Sequence, residues 1–417
     1  MRNFRHFRTI ALYIAIPALS AVTPLIVLPA LTTAYGAAGL AAISIGTSLG
    51  ASGAVIAELG WSVLGPQRVA KANESDRRDM YQTAFATRLI ALAIIGPSVG
   101  AIAYAVSPDF KLAAAAIALA LSLAAMSPSW FLIGVNRPLV ILAAEALPKV
   151  LVSAAAAAAL LAGAPLEWYG CFIAVAAIAT WLLTAAIAKQ PFWPSLHHFR
   201  RGRSVISRQF PLTFGRTVSV IYTSLPVTIV ALVAPGFTAS YAAIDRLMKM
   251  ASALLGAIPT RLQSWVGSDP DTSGYRRSRQ SLAMNAVLGL VAGIGFTVFA
   301  PRVAEYVFSG VVSIDFNLSA LGGAVVFAVC VSRGFGLSLV AEGKANWIAA
   351  ANVGAALVGI SSIYILAGAW GSDGALIGAL CAEVVGICVQ AIILFAGHRW
   401  ITNRKFPPTP DSGPETT

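Results

Sequence analysis

Long apolar segments separated by short polar connections fill almost the whole chain. The first, 9–31, exceeds the apolar region of a signal peptide, about 7–15 residues, so we predict that it is retained as a membrane helix. About 20 apolar residues cross a bilayer as one α-helix, which makes each segment a candidate span. The other eleven are 39–65, 83–106, 112–135, 140–163, 169–188, 209–233, 241–266, 282–300, 317–341, 347–369 and 374–397. The pattern predicts about twelve transmembrane helices.

The composition agrees with this pattern and excludes an ordinary soluble domain. Hydrophobic residues make up 58% of the chain and charged residues 11%, whereas a soluble domain has roughly 25% charged residues. Backbone polar groups inside a bilayer must be bonded within the protein, and segments of this length achieve that as helices. We therefore expect an all-α polytopic membrane protein.

The basic residues alternate from one connection to the next. Every second connection carries them: Arg68, Lys71, Arg77, Arg78, Arg137, Lys189, Arg200, Arg201, Arg203, Arg208, Arg276, Arg277, Arg279 and Lys344. The opposite connections hold only Lys111 and Arg302, beside several carboxylates. The positive-inside rule then predicts a multi-pass membrane protein with both termini cytoplasmic. The net charge of +12 would face membrane lipids, so we expect no nucleic-acid partner.

Short repeated motifs indicate two six-helix units. Three motifs recur in the same order: LAAIS at 40–44 as YAAID at 241–245, Leu28-Pro29 as Leu225-Pro226, and Tyr169-Gly170 as Asp373-Gly374. Two units of equal orientation predict a pseudo-two-fold axis along the membrane normal and a central cavity between two lobes. The predicted parts are an N-terminal lobe (1–188), a basic cytoplasmic linker (189–208), a C-terminal lobe (209–400) and a disordered cytoplasmic tail (401–417).

Predicted helix eight carries Asp245, Arg246 and Lys249 within its first three turns. A charge deep in a membrane helix costs about 2.5–3.5 kcal/mol, so such side chains face protein or a water-filled cavity. One interpretation is an internal pair of Asp245 with Lys249, while Arg246 reaches the membrane interface. The other is a basic wall along the route of an anionic substrate, with Asp245 positioning the two basic groups. We favour the second.

Other charged residues inside predicted helices extend this set. We expect the substrate-binding residues to be Arg216, Arg246, Lys249, Arg333 and Arg88, because basic side chains suit an anionic substrate and arginine stays charged in a cavity and binds anionic oxygens in a bidentate manner. Residues expected in coupling or gating are Asp245, Glu383, Glu58, Glu145, Lys149 and Arg68. The competing interpretation is structural pairing of Arg216 and Arg333 with Glu383 or Asp245, and of Glu58 with Arg68. For Glu145 and Lys149 we favour a mutually neutralising pair over a contact with the substrate.

No catalytic or metal-binding motif is evident. The four cysteines lie in apolar segments, and the four histidines lie in basic stretches at predicted helix ends. None has the spacing of a metal site or of a nucleophile with its base. The sequence therefore predicts no enzymatic activity, no cofactor and no metal.

Several motifs together resemble a known family. They are Gly36–Gly39, Glu58-Leu59-Gly60-Trp61, Gly65–Ala70, Tyr241–Leu247 (YAAIDRL), Gly374-Ala375 and Ala382-Glu383. Their layout resembles the bacterial polysaccharide flippases of the multidrug/oligosaccharidyl-lipid/polysaccharide exporter superfamily, over nearly the whole chain. In one departure, similar flippases usually have a basic residue where Gln67 stands, and here the charge is at Arg68.

The resemblance implies a flippase that moves polyprenyl-diphosphate-linked oligosaccharide units across the inner membrane by alternating access. Its implied partners are the lipid-linked anionic oligosaccharide, membrane lipids and the polysaccharide polymerase machinery, and we expect a monomer. The alternative is a drug/organic-cation antiporter of the same superfamily, which needs anionic residues facing the cation. A membrane glycosyltransferase would need a large outer loop with acid/base residues, and the outer connections here are short.

Overall fold

The computed structural model describes residues 2–255, 274–341 and 344–402, with the main chain alone for 2–22, 203, most of 208–222, 274–278, 341, 345–346, 349 and 396–402. Its helices are α1 (Arg2–Ala57), α2 (Trp61–Lys71), α3 (Glu74–Val106), α4 (Lys111–Ser122), α5 (Ser129–Gly134), α6 (Pro138–Ile141), α7 (Leu147–Leu161), α8 (Glu167–Ile187), α9 (Leu196–Ser224), α10 (Pro226–Val233), α11 (Thr238–Leu255), α12 (Gly274–Val307), α13 (Phe316–Ala341) and α14 (Ala345–Thr402). Single 3₁₀ turns span Leu123–Met126 and Pro235–Phe237, and a π turn spans Leu142–Ala146.

The all-α polytopic fold class is confirmed. Eight helical stretches of the described residues are long and apolar enough to cross a membrane. The helices α1 and α14 have 56 and 58 residues, and a straight helix of that length would measure about 85 Å, far more than one bilayer. Each contains a turn at a glycine with positive φ, Gly36 (62°) and Gly371 (58°), so each supplies two of the predicted spans. The inner end of predicted helix eight, 256–266, lies outside the described residues.

The N-terminal lobe has three interruptions where the sequence predicts continuous helices. They fall in predicted helices two (39–65), four (112–135) and five (140–163), at Leu59-Gly60, at Ser127-Pro128 and at the π turn. The prediction of unbroken helices is wrong at these points, because Leu59 and Gly60 have positive φ and Pro128 has no N–H to donate. Irregular backbone inside a membrane is stable only when it lies within protein or lines a cavity.

The predicted linker 189–208 is largely helical. Helix α9 begins at Leu196 and continues without a break into the seventh span. Its first turns are attached to α3, because Asp79 accepts a hydrogen bond from Arg201 at 2.7 Å and lies 3.1 Å from His198 Nε2. The start of the linker is thus held by the N-terminal lobe.

Buried apolar residues join the two lobes at one end of the bundle. We call this the acidic end, because its connections carry Asp109 and Asp315. There a single cluster contains residues of both lobes, including Leu31, Leu40, Val230, Ile244 and Phe308. The lobes are therefore packed against each other at the acidic end.

The opposite, basic end, where Arg77 and Arg201 lie, is packed differently. Here each lobe has an apolar cluster of its own among the described residues. The N-terminal one includes Trp61, Tyr81, Phe85, Trp130 and Phe131, and the C-terminal one includes Phe335, Leu339 and Leu394. The described parts of the lobes thus share a core at the acidic end and not at the basic end.

Candidate substrate cavity between the lobes

A cavity of about 510 Å³ lies between the lobes. Its walls come from α1, α4, α7 and α8 on one side and from α9, α10 and α11 on the other. Alanines leave much of this space open: Ala51, Ala120, Ala124, Ala156, Ala176, Ala177 and Ala242. Hydroxyl groups of Ser44, Thr47, Ser48, Ser153 and Thr180 add polar points to the wall. The cavity suits a ligand that is mainly apolar and carries a few polar groups.

Five charged side chains of the described residues line this cavity, and four of them form two ion pairs. Lys149 Nζ lies 2.7 Å from Glu145 Oε1 in the N-terminal lobe, and Lys249 Nζ lies 2.7 Å from Asp245 Oδ2 in the C-terminal lobe. The two carboxylates are 16% and 13% exposed, whereas Lys149 and Lys249 are 37% and 49% exposed. Each lobe therefore presents one carboxylate to the cavity with a lysine over it. The two pairs that the sequence predicts at i, i+4 are present.

The fifth charge is Arg246, which is half-buried. Among the described residues no carboxylate or other acceptor pairs with its guanidinium. In the described part of the cavity wall, three cations against two carboxylates leave one positive charge in excess. This excess favours a ligand with an anionic group.

The repeated sequence motif lies at equivalent places in the two lobes. Residues 40–43 and 241–244 are all buried, and the residues that end the two motifs, Ser44 and Asp245, both line the cavity. The duplication thus places a hydroxyl on one side and a carboxylate on the other.

Glu145 lies where two irregular backbone segments meet. It belongs to the π turn, and its Oε2 accepts hydrogen bonds from Ser127 (3.1 Å) and from Ser129. Those serines flank Pro128 at the break between α4 and α5. The carboxylate is therefore held by two hydroxyls and one ammonium group.

Arg88 does not reach the cavity, contrary to its predicted role in substrate binding. It is 1% exposed, and its guanidinium donates to the carbonyl oxygens of Ala84, Ala125 and Ser127, all at 2.9 Å. The guanidinium also lies 5.5 Å from the ring centre of Trp130. Two of these carbonyls belong to the broken helix, so Arg88 satisfies acceptors that a continuous helix would have bonded internally.

The remaining predicted site residues lie away from the described cavity lining. Arg333 donates to the carbonyl of Ser252 at 3.0 Å and joins α13 to α11. Glu58 accepts from the N–H of Ser62 at 2.9 Å and caps the helix that follows the break. Arg68 is exposed at the basic end, and Glu383 is half-buried in α14. The side chain of Arg216 lies outside the described residues.

Sequence reasoning missed Ser127 and Ser129. A signal was present, because the sequence Ser127-Pro128-Ser129 stands in the middle of an apolar segment, where proline frees a carbonyl and serine can bond locally.

Within the described ranges, no group of three or more His, Cys, Asp or Glu side chains is placed to hold a metal ion.

Interlobe hydrogen bonds support the closed acidic end. Ser48 donates to the carbonyl of Ser224, and its Oγ lies 3.3 Å from the hydroxyl of Thr228. Nearer the acidic end, Ser309 donates to the carbonyl of Pro29 at 3.3 Å. These contacts close the cavity on that side.

Solved structures identify this arrangement of helices. A multidrug resistance MATE family transporter of the MOP superfamily, in its inward-facing conformation, aligns with 93% of this chain and 99% of its own, with 13% identity and a TM-score of 0.68. The chain has the fold of the MATE transporters. The MATE multidrug transporter DinF-BH, solved as a complex with a ligand, aligns with 93% of this chain and 94% of its own, with 16% identity and a TM-score of 0.58. No protein-family model and no curated protein matches the sequence.

The comparison also bears on conformation. An outward-facing structure described as a multidrug resistance MATE family transporter gives a TM-score of only 0.52, at 11% identity, over 95% of this chain and 93% of its own. The inward-facing structure is thus the better match of the two.

Proposed function

We propose that this chain is a transporter of the multidrug kind, which binds a drug-sized amphiphilic molecule between its lobes and carries it across the membrane by alternating access. The observation that carries this proposal is the cavity of about 510 Å³, mostly apolar and supplied with charges by both lobes. Cavities that hold drug-sized ligands measure about 300–1,000 Å³ and have few polar groups.

The comparisons support this function better than the flippase that the sequence motifs imply. The structures with the same fold are described as multidrug transporters. A diphosphate with several sugars would also be large for a cavity of this volume. The two carboxylates on the wall are the residue type that the organic-cation alternative requires, although each is engaged by a lysine.

The proposed cycle follows from the unequal packing of the two ends. With the basic end at the cytoplasm, as the positive-inside rule predicts, the present state receives substrate from the cytoplasm. The lobes would then rock together at the basic end and part at the acidic end, breaking the contacts of Ser48 with Ser224 and Thr228.

A second candidate is the lipid-linked oligosaccharide flippase, and one observation favours it. Arg246 lines the cavity without a partner among the described residues, and a guanidinium binds diphosphate oxygens in a bidentate manner. Under this candidate the sugars would extend toward the basic end while the lipid tail stays in the bilayer.

Transport by the purified protein in liposomes tests both candidates. The probes are a fluorescent organic cation, a fluorescent amphiphilic anion and a fluorescent polyprenyl-diphosphate disaccharide. Transport of either small amphiphile, but not of the polyprenyl compound, is expected; the reverse result would support the flippase instead. Transport of none of the probes would contradict both.

A matched pair of substitutions ties transport to the cavity. Ala177 lines the cavity, and Ile178 beside it is 47% exposed on the outer surface of the bundle. Ala177→Trp should fill the cavity and abolish transport, whereas Ile178→Trp should leave it intact. Full transport by Ala177→Trp would move the substrate route elsewhere.

A further inference from the structure

The broken helix of the N-terminal lobe has the geometry of a cation site. In membrane transporters, coupling ions are held by carbonyl groups of unwound helices and by nearby carboxylates. Here the break between α4 and α5 frees carbonyls at Ala125 and Ser127, and Glu145 lies against it with two serine hydroxyls on its Oε2. These are oxygen ligands of the kind that a monovalent cation or a proton requires.

Side chains of the protein already hold these oxygens. The guanidinium of Arg88 donates to both carbonyls at 2.9 Å, and the ammonium of Lys149 lies 2.7 Å from Glu145 Oε1. Arg88 is fully buried, whereas Lys149 is 37% exposed on the cavity wall. Of the two cations, only Lys149 stands where an ion from solution could reach the carboxylate.

We propose that the Lys149 ammonium is a tethered cation that takes, at Glu145, the place of an exchangeable coupling cation. Transport then requires neither a sodium gradient nor a proton gradient at this lobe, and the substrate moves down its own electrochemical gradient. The excess positive charge at Arg246 fits this mode, because a membrane potential that is negative inside drives an anionic substrate outward without a coupling ion.

The corresponding pair of the other lobe provides the contrast. Asp245 and Lys249 have the same spacing and the same 2.7 Å distance, but they lie on the regular helix α11. Among the described residues, the carboxylate of Asp245 accepts a hydrogen bond from Lys249 and none from a serine hydroxyl. Lys249→Met is therefore the matched control for Lys149→Met.

Ion binding by the purified protein tests the proposal without any substrate. Thermal unfolding is measured with sodium chloride and with choline chloride at equal ionic strength and pH 8. Wild type and Lys249→Met should give the same midpoint in both salts. For Lys149→Met, the unfolding midpoint should increase saturably by several degrees in sodium if a sodium ion replaces the lysine. If a proton replaces the lysine, the midpoint should instead rise on acidification from pH 8 to pH 6.

The double variant Glu145→Gln/Lys149→Met assigns the effect to the carboxylate. It should lose both responses, because no anion remains at the site. The other ionisable groups lining the cavity, Tyr169, Asp245, Arg246 and Lys249, are unchanged in it and in Lys149→Met. Lys149→Met with neither a sodium nor a proton response would overturn the proposal, as would a sodium response retained by the double variant.

A second experiment measures transport; it rests on the proposed function, and its result is interpreted separately from the ion-binding experiment. In liposomes, wild-type flux of the transported probe should be unaffected by an imposed sodium or proton gradient, and Lys149→Met should become dependent on one of them. A wild-type flux that requires either gradient would overturn the proposal. Absence of transport for every probe would refute the proposed function, while the ion-binding arm would still decide the role of Lys149.

Discussion

Replacing Arg88 by methionine should destabilise the N-terminal lobe by an amount that the structure lets us work out. Methionine is similar in length and keeps the apolar contact with Trp130, so the change mainly removes the donors. The buried carbonyl of Ala125 and the half-buried carbonyl of Ser127 then lose the guanidinium at the helix break. The carbonyl of Ala84 keeps a hydrogen bond from Thr87 at 3.0 Å.

Each buried acceptor that loses its donor costs about 1–3 kcal/mol, so two of them cost about 2–6 kcal/mol. Removing the charge also removes the cost of burying it. The expected loss in the free energy of unfolding therefore lies in the lower half of this range, at about 3 kcal/mol. The stability of Arg88→Lys should lie between those of the wild type and Arg88→Met, because one ammonium group cannot reach both carbonyls as the planar guanidinium does.

The assay is reversible unfolding in mixed micelles, followed by tryptophan fluorescence. Arg68→Met is the control, since Arg68 is exposed at the basic end and its loss should change the free energy of unfolding by less than about 0.5 kcal/mol. If Arg88→Met unfolded within about 1 kcal/mol of wild type, the carbonyls would have other donors and the reasoning would be refuted.

Three further predictions use matched residues. Gly65→Ala should lower the unfolding temperature, because the new Cβ would lie 2.2 Å from the Trp130 ring. Gly354→Ala should leave the unfolding temperature unchanged, because nothing lies within 4 Å of its Cβ. Equal unfolding temperatures for the two variants would contradict the packing of Gly65 against Trp130. Trp193 is 61% exposed at the basic end. Lipids brominated near the headgroup should therefore quench the tryptophan fluorescence of the wild type more than that of Trp193→Phe. Equal quenching of the two proteins would place the Trp193 side chain away from lipid. Arg246→Gln should weaken binding of the amphiphilic anion by about tenfold or more, measured by titration, while an unchanged affinity would place the anionic group elsewhere.

Features set by local sequence were predictable. The apolar segments predicted the spans, since crossing a bilayer fixes their length. The pairs Glu145–Lys149 and Asp245–Lys249 followed from i, i+4 spacing, which brings two side chains together on any helix. The repeated motif predicted two lobes with a cavity between them.

Features set by distant contacts were not predictable. Arg88 was predicted to bind substrate as an arginine inside a membrane helix, yet two of its three acceptors are carbonyls 37 and 39 residues further along the chain. Nothing in the sequence indicated that Arg333 would bond to a carbonyl of α11. Every residue has a backbone carbonyl, so the sequence does not show which carbonyls will accept hydrogen bonds from an arginine. A buried arginine bonded to carbonyls therefore cannot be told from an unpaired arginine by sequence alone.

The cluster shared by the lobes at the acidic end has a consequence for how firmly they are joined. In water, an apolar contact of this kind would be strongly favoured, but lipid solvates Leu31 or Phe308 about as well as another side chain does. Close packing and a few hydroxyl bonds, such as that of Ser48 with Thr228, must then supply the attraction. Hydrogen bonds between membrane helices average only about 0.6 kcal/mol. Where lipid fills the gap, the acidic end can therefore part and re-form at little energetic cost, while staying well packed whenever it is closed.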